Sequence, residues 1–203
     1  MKNGLWLLLL GALQISVPAC SAPVTSRPHL INPILAKLVD ATLSQYFDAG
    51  LIQHSTSPYS SPLVAFSKTS GGVRITVNYK KLNQISKLRQ LPTPRVDEVL
   101  DSLGSRRVFS LFDLVSSFHQ IKAHYDTVPL TPLCTSTGLY GWLVMPQGNS
   151  ASPRWFFKVI NEVMTGFKQV PAYFDDAIVF ESDPIAHVQP IRSLFDRLRE
   201  DNL

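Results

Sequence analysis

Val170-Pro171-Ala172-Tyr173-Phe174-Asp175-Asp176-Ala177-Ile178-Val179-Phe180 is where the reading of this chain begins. Two short apolar runs, Val170 to Tyr173 and Ile178 to Phe180, flank two adjacent carboxylates, a layout that predicts a tight hairpin with Asp175-Asp176 at its tip. By itself such a pair is a weak signal, because Asp is favoured in turns and most turn Asp-Asp pairs are merely solvated. A second feature gives it weight. The apolar run Val108-Phe109-Ser110-Leu111-Phe112 belongs to a strand predicted over Arg107 to Phe112, and Asp113 follows at its end, 62 residues before Asp175. That separation is compatible with neighbouring strands of one sheet that bring all three carboxylates together, although spacing alone does not prove it.

Asp113, Asp175 and Asp176 are candidate ligands for a hard divalent cation, Mg²⁺ or Mn²⁺, which takes oxygen ligands and keeps several waters. Nucleotide polymerisation needs two such cations, one to activate the primer hydroxyl and one to hold the triphosphate and stabilise the leaving oxygen.

Outward from these residues, Ile34, Leu35, Leu38, Val39, Leu43, Tyr46 and Phe47 recur at helical steps, and Gly50 marks where that helix should stop. The turn-rich Ser55 to Pro62 leads into strands over Leu63 to Ser67 and Val73 to Asn78, joined through Gly71-Gly72. Further helices are predicted over Val96 to Leu103, Ala151 to Phe167 and Ile185 to Glu200. No repeat or low-complexity tract is visible. Strands and helices alternate without a strict βαβ rhythm, which predicts an α+β fold with helices packed on one face of a sheet.

The 203 residues suffice for one globular domain plus a leader. Nineteen Lys and Arg against fifteen Asp and Glu give +4, which permits nucleic-acid binding without requiring it. Cys20 and Cys134 supply neither a disulfide framework nor a Cys-based zinc site. Residues 1–22 join Lys2, the run Leu5 to Leu10, and small residues at Ala19 and Ala22, the three-part layout of a secretory signal. An artefactual leader explains the segment equally well; it is too short and interrupted for a stable membrane span. Residues 23–35, with Pro23, Pro28 and Pro33, read as a linker to the body at 36–203.

The resemblance to a known family rests on ordered matches through that body. Tyr173-Phe174-Asp175-Asp176 fits the YxDD box of reverse transcriptases, and Phe112-Asp113-Leu114 with Ser117-Phe118-His119-Gln120-Ile121 resembles their earlier metal-binding motif. Gly50-Leu51-Ile52, Ser55 to Val64, Tyr79 to Asn83, Leu91 to Glu98, Leu143 to Gly148 and Ser152-Pro153 extend the likeness to the Ty3/gypsy group of long-terminal-repeat retrotransposon polyproteins.

The resemblance implies the fingers and part of the palm of a right-hand polymerase, with an antiparallel palm sheet and helices on one face. It implies an RNA-directed DNA polymerase, transferring deoxynucleotides from their triphosphates to a primer 3′-hydroxyl on an RNA/DNA template-primer duplex. Asp113, Asp175 and Asp176 would be the catalytic metal ligands, and Lys68 and Arg74 would contact the triphosphate. Phe118 would abut the sugar and exclude a 2′-hydroxyl, while Gln147 would touch the nucleotide beside it. Without the family, Lys68 and Arg74 read as solvated hairpin charges, Phe118 as a core aromatic beside Leu114, and Pro146-Gln147-Gly148 as a plain turn.

Some positions depart from the group's pattern, among them Asn78 for an Asp, Leu130 for a Lys, and the retroviral-looking Gln147-Gly148-Asn149. The chain stops after the helix following the YxDD box, so thumb, ribonuclease H and other polyprotein domains have no counterpart, and weak processivity is expected. An intracellular location is expected from the family and secretion from the leader. Two alternatives stay open: an inactive retroelement remnant, and a secreted binding module derived from one.

Overall fold

The structure is a computed structural model that describes residues 11–69, 71–87, 97, 101, 103–167, 172, 173 and 176–203, with backbone only at 172 and 173. Helix α1 spans Pro33–Asp48, starting within the expected linker because Asn32 caps it: its Oδ1 accepts from the Ile34 N–H at 2.9 Å, and Pro33 supplies a preset φ at the first turn. It ends before Gly50, whose φ of +69° closes the helix as the sequence predicted.

Strand β1 (Ile52–His54) follows, then the hairpin of β2 (Ser61–Ser67) and β3 (Val73–Val77), in register from Leu63 opposite Val77 to Ser67 opposite Val73. Helix α2 (Lys80–Ile85) precedes β4 (Val108–Asp113). A 3-10 turn at Ser117–Gln120 then leads to β5 (Leu133–Cys134) and β6 (Leu139–Trp142). Helix α3 (Ala151–Val163), strands β7 (Ala172–Tyr173) and β8 (Asp176–Glu181), and helix α4 (Val188–Glu200) complete the order.

The strands form two sheets. A five-stranded sheet runs β1-β6-β5-β2-β3, with β2 and β5 parallel; an antiparallel three-stranded sheet runs β4-β8-β7. Each has its own core. In the first, Val39 and Leu43 of α1 pack with Leu63, Ile75, Val77, Tyr79 and Trp142. In the second, Trp155, Phe156, Val159 and Ile160 of α3 and Leu194 and Leu198 of α4 cover Ala177 and Val179. The helices lie on one face of the three-stranded sheet, so the α+β reading holds. On the opposite face Phe109 and Leu111 stay 49% and 66% exposed and lead to Asp113 at the strand end.

Several boundaries differ from expectation. Helix α3 stops at Val163, before the expected Phe167, because the chain turns over 164–166 and Gly166 takes φ +97°. Helix α4 begins at Val188, three residues later than expected; a turn held by the Asp183 carboxylate, which accepts from the Ala186 N–H at 2.8 Å, precedes it. Strand β8 begins at Asp176, so this residue belongs to the ladder rather than to the turn. The helix expected over Val96 to Leu103 lies mostly outside the described residues; Asp97, Asp101 and Leu103 are helical.

Leu13 and Ile15 pack into the second core, and Val17 packs against the first. Leu13 is fully buried and Ile15 is 4% exposed. The Leu13 N–H donates to the Lys122 carbonyl at 2.8 Å, its carbonyl accepts from the His124 N–H at 2.9 Å, and the Thr127 hydroxyl accepts from the Ile15 N–H at 2.9 Å. Residues 23–31 lack regular structure but are tied down as well: the Val24 carbonyl accepts from the Ser60 N–H at 2.9 Å and the Ser26 N–H donates to the Ser60 hydroxyl at 3.0 Å. Among the described residues no helix is long and apolar enough to cross a membrane.

Candidate active site

Asp113 closes β4 and Asp176 opens β8, and the antiparallel register sets them directly opposite each other. Directly opposed residues of neighbouring strands project to the same face with Cβ atoms roughly 5 Å apart, so the ladder alone brings these two carboxylates together. Asp113 is exposed and has no ion-pair partner among the described residues. Asp175 lies outside the described residues, between Tyr173 and Asp176, which pair with each other. No group of three or more His, Cys, Asp or Glu side chains gathers among the described residues; the pair is what they contain.

A cleft of about 1380 Å³ opens beside Asp113, and its wall includes Lys68, Arg74, Phe118 and Gln147. Five of the seven residues singled out in the sequence therefore face one space, although they are spread from the β2/β3 hairpin to the loop before α3. Lys68 and Arg74 are exposed on that hairpin, and neither is tied to a carboxylate among the described residues. Their positive charge is available to an anion. Phe118 is half-buried: it stacks on Phe156 with centroids 5.3 Å apart and planes 10° from parallel, and it also lines the cleft.

The loop carrying Gln147 is held by contacts to the hairpin lobe. Gly148 has φ +97°, and a Cβ there would run into the Val77 carbonyl oxygen, so only glycine fits. Asn83 completes the clamp: its Oδ1 accepts from the Ser150 N–H at 3.0 Å and its Nδ2 donates to the Gly148 carbonyl at 3.2 Å. Sequence reasoning gave Asn83 no role, although the Leu82-Asn83 pair was part of the resemblance. It also gave none to His119, which stacks on Trp142, nor to Ser116, a non-glycine residue at φ +53°. Burial pushes the His119 imidazole down to about 4, so it is neutral at pH 7. Backbone held in the sparsely populated region that Ser116 occupies tends to cluster at functional sites.

Asp113 and Asp176 thus face each other across β4 and β8, and Asp113 shares a cleft wall with Lys68 and Arg74; the chain belongs to the reverse transcriptase (RNA-dependent DNA polymerase) family, whose sequence profile matches residues 66–203. Among individual proteins it is 30% identical to the retrovirus-related Pol polyprotein from transposon 297 of Drosophila melanogaster, over 190 residues that cover 90% of this chain and 18% of that one. The Pol polyprotein from transposon opus of the same fly is 31% identical over 185 residues, 88% of this chain and 18% of that one. The transposon Tf2-3 polyprotein of Schizosaccharomyces pombe is 26% identical over 179 residues, 87% of this chain and 13% of that one. The chain thus spans less than a fifth of the length of these relatives.

Among solved structures, the prototype foamy virus protease-reverse transcriptase shares the fold with a TM-score of 0.88 at 20% identity, over 96% of this chain and 26% of that one. The foamy viral protease-reverse transcriptase in complex with RNA/DNA hybrid does so with a TM-score of 0.87 at 19% identity, over 96% of this chain and 26% of that one. The fingers and palm expected from the sequence are therefore the fold of this chain.

Proposed function

We propose that this chain carries the nucleotidyl-transfer site of an RNA-directed DNA polymerase, acting on a deoxynucleoside triphosphate and a primer annealed to an RNA template. The observation that carries the reading is the register that sets Asp113 opposite Asp176 beside a cleft walled by Lys68 and Arg74. In the reaction the primer 3′-oxygen forms a bond to the α-phosphorus, the bond from that phosphorus to the pyrophosphate oxygen breaks, the hydroxyl proton leaves to solvent, and pyrophosphate departs.

Lys68 and Arg74 would bind the triphosphate and offset its charge, Arg74 through a planar fork suited to phosphate oxygens. Phe118 would close the space where a 2′-hydroxyl would sit, and Gln147, held by Asn83 and Gly148, would orient the nucleotide beside the sugar. Asp113 and Asp176, with Asp175 next to them in sequence, are oxygen donors of the type Mg²⁺ or Mn²⁺ takes, and they would hold such a cation. When bound, it supplies activation of the attacking hydroxyl and charge stabilisation on the leaving oxygen.

The same reading extends to the N-terminus. Residues 11–22 are proposed to belong to the domain, which then acts inside the cell rather than as a secreted module. Burial of Leu13 and Ile15 supports this, since cleavage after Ala19 or Ala22 would strip both from the core. The foamy virus structures also align over 96% of this chain, a share that residues 23–203 alone could not supply. Expression of the full chain in secretion-competent cells, with its N-terminus read by mass spectrometry, checks it; a secreted product beginning near Cys20 or Pro23 would refute it.

The activity is tested by incorporation of labelled deoxynucleotide on a primed RNA template by the full chain with Mg²⁺ or Mn²⁺. The account expects incorporation that falls by about a thousandfold or more in Asp113→Asn and in Asp176→Asn, with unfolding midpoints little changed. Incorporation retained in either folded variant would refute the assignment.

A further inference from the structure

Two adjacent residues of the 3-10 turn at Ser117–Gln120 are stacked into different cores. Phe118 lies almost parallel to Phe156 of α3, at 5.3 Å, in the core beneath the three-stranded sheet. His119 lies over Trp142 of β6, centroids 5.3 Å apart and planes 25° from parallel, and it meets Tyr46 of α1 edge-on at 5.6 Å. Trp142 and Tyr46 belong to the other core, beneath the sheet that carries Lys68 and Arg74. Both Phe118 and His119 face the cleft.

Ser116 enters the turn in the left-handed region, and the bonds within it are local: the His119 N–H to the Ser116 carbonyl at 2.8 Å, the Ile121 N–H to the Phe118 carbonyl at 3.3 Å and the Gln120 amide to the Val115 carbonyl at 2.8 Å. Buried Ser117 and Ile121 anchor its two ends, the latter through the Met145 N–H, which donates to the Ile121 carbonyl at 2.8 Å, and leave the two rings between them to be placed by their stacks. A parallel stack such as Phe118 on Phe156 sets the distance between ring planes, but offset stacks tolerate sliding within the plane. Sliding is the motion that would carry Phe118 towards or away from a nucleotide sugar. A second stack one residue further on, made to a different core, removes that freedom.

We propose that His119 is a positioning residue for sugar selection: its stack on Trp142 and its contact with Tyr46 fix how far the Phe118 ring reaches into the cleft, relative to the hairpin that would hold the triphosphate. The inference rests on the polymerase reading above. In this role His119 acts as a neutral aromatic ring, so another ring serves and an aliphatic side chain of similar bulk does not.

Two measurements on the full chain test it, using His119→Phe, His119→Ala and His119→Leu, the last keeping bulk in case the alanine variant does not fold. The first compares kcat/KM for a deoxynucleoside and a ribonucleoside triphosphate of the same base; selectivity is expected to fall about tenfold or more in the alanine and leucine variants and to stay within about twofold in the phenylalanine variant. The second needs no catalysis. It follows the Phe118 ring by NMR in ring-labelled protein, and expects shifted, averaged ring signals in the alanine and leucine variants and native-like ones in the phenylalanine variant. Unchanged selectivity, or an unchanged Phe118 signal in a folded leucine variant, would overturn the proposal. If no variant and not the parent chain incorporates nucleotide, the polymerase reading fails, while the ring signals still decide whether His119 places Phe118.

Discussion

Gly148 is where one absent Cβ joins the two halves of the cleft, because its backbone lies against the Val77 carbonyl at a φ of +97°. Gly148→Ala meets both a strained φ and a backbone oxygen that cannot swing aside, so a loss of roughly 2 kcal/mol or more is expected in denaturant unfolding. In the sequence Pro146-Gln147-Gly148 reads as a plain turn, because the neighbour that demands a glycine lies on a strand 71 residues earlier. His119 was illegible for a similar reason: its meaning lies in Trp142 and Tyr46, neither near it in sequence. Its burial has a pH consequence. With the folded imidazole held to about 4 against an ordinary 6.5, the unfolded chain binds more protons between those values. Stability should therefore be fully present above about pH 6.5 and decline as pH falls towards 4, a decline that His119→Phe should reduce in urea melts at several pH values.

Among elements, those with a full period of pattern were legible. Helix α1 showed its repeat and its Gly50 stop, the β2/β3 hairpin its Gly71-Gly72 turn, and β4 and β8 their apolar runs, although Asp176 was read into the turn and not the strand. Strands β1, β5 and β6, of three, two and four residues, are too short to carry a period, and they exist because tertiary pairing supplies their bonds. Residues 1–22 carry the layout of a secretory signal, and nothing in that composition shows that Leu13 and Ile15 lie in the core with backbone bonds to residues more than a hundred positions away. Leu13→Ala is expected to cost about 2–4 kcal/mol in unfolding, as for a fully buried leucine; no effect would mean that the segment does not pack there in solution. Asn83→Ala removes both clamps on the loop bearing Gln147 and should raise KM for the nucleotide more than it lowers the unfolding midpoint, a split that steady-state kinetics and melts on one preparation would show.

Across the whole molecule, two packed cores place the β2/β3 hairpin, whose Lys68 and Arg74 meet no carboxylate among the described residues, beside the strand end that carries Asp113, and the cleft is the product of that placement. Asp113, Asp176 and the hairpin cations could be singled out in the sequence because motif order carried them; that Asp113 stands opposite Asp176 and shares a cleft with Lys68 and Arg74 could not, since this depends on the β4–β8 register and on the Gly148 contact. If the cations serve a triphosphate, Lys68→Ala with Arg74→Ala should weaken nucleotide binding by about tenfold or more, with a smaller salt dependence than the parent chain. The account's central claim is that Asp113 and Asp176 together make a cation site at the cleft rim. It is tested most directly by titrating Mn²⁺ into the full chain and following water-proton relaxation, beside Asp113→Asn and Asp176→Asn. The account predicts a bound Mn²⁺ in the parent chain that either substitution weakens severely; a site of unchanged affinity in both folded variants would contradict it.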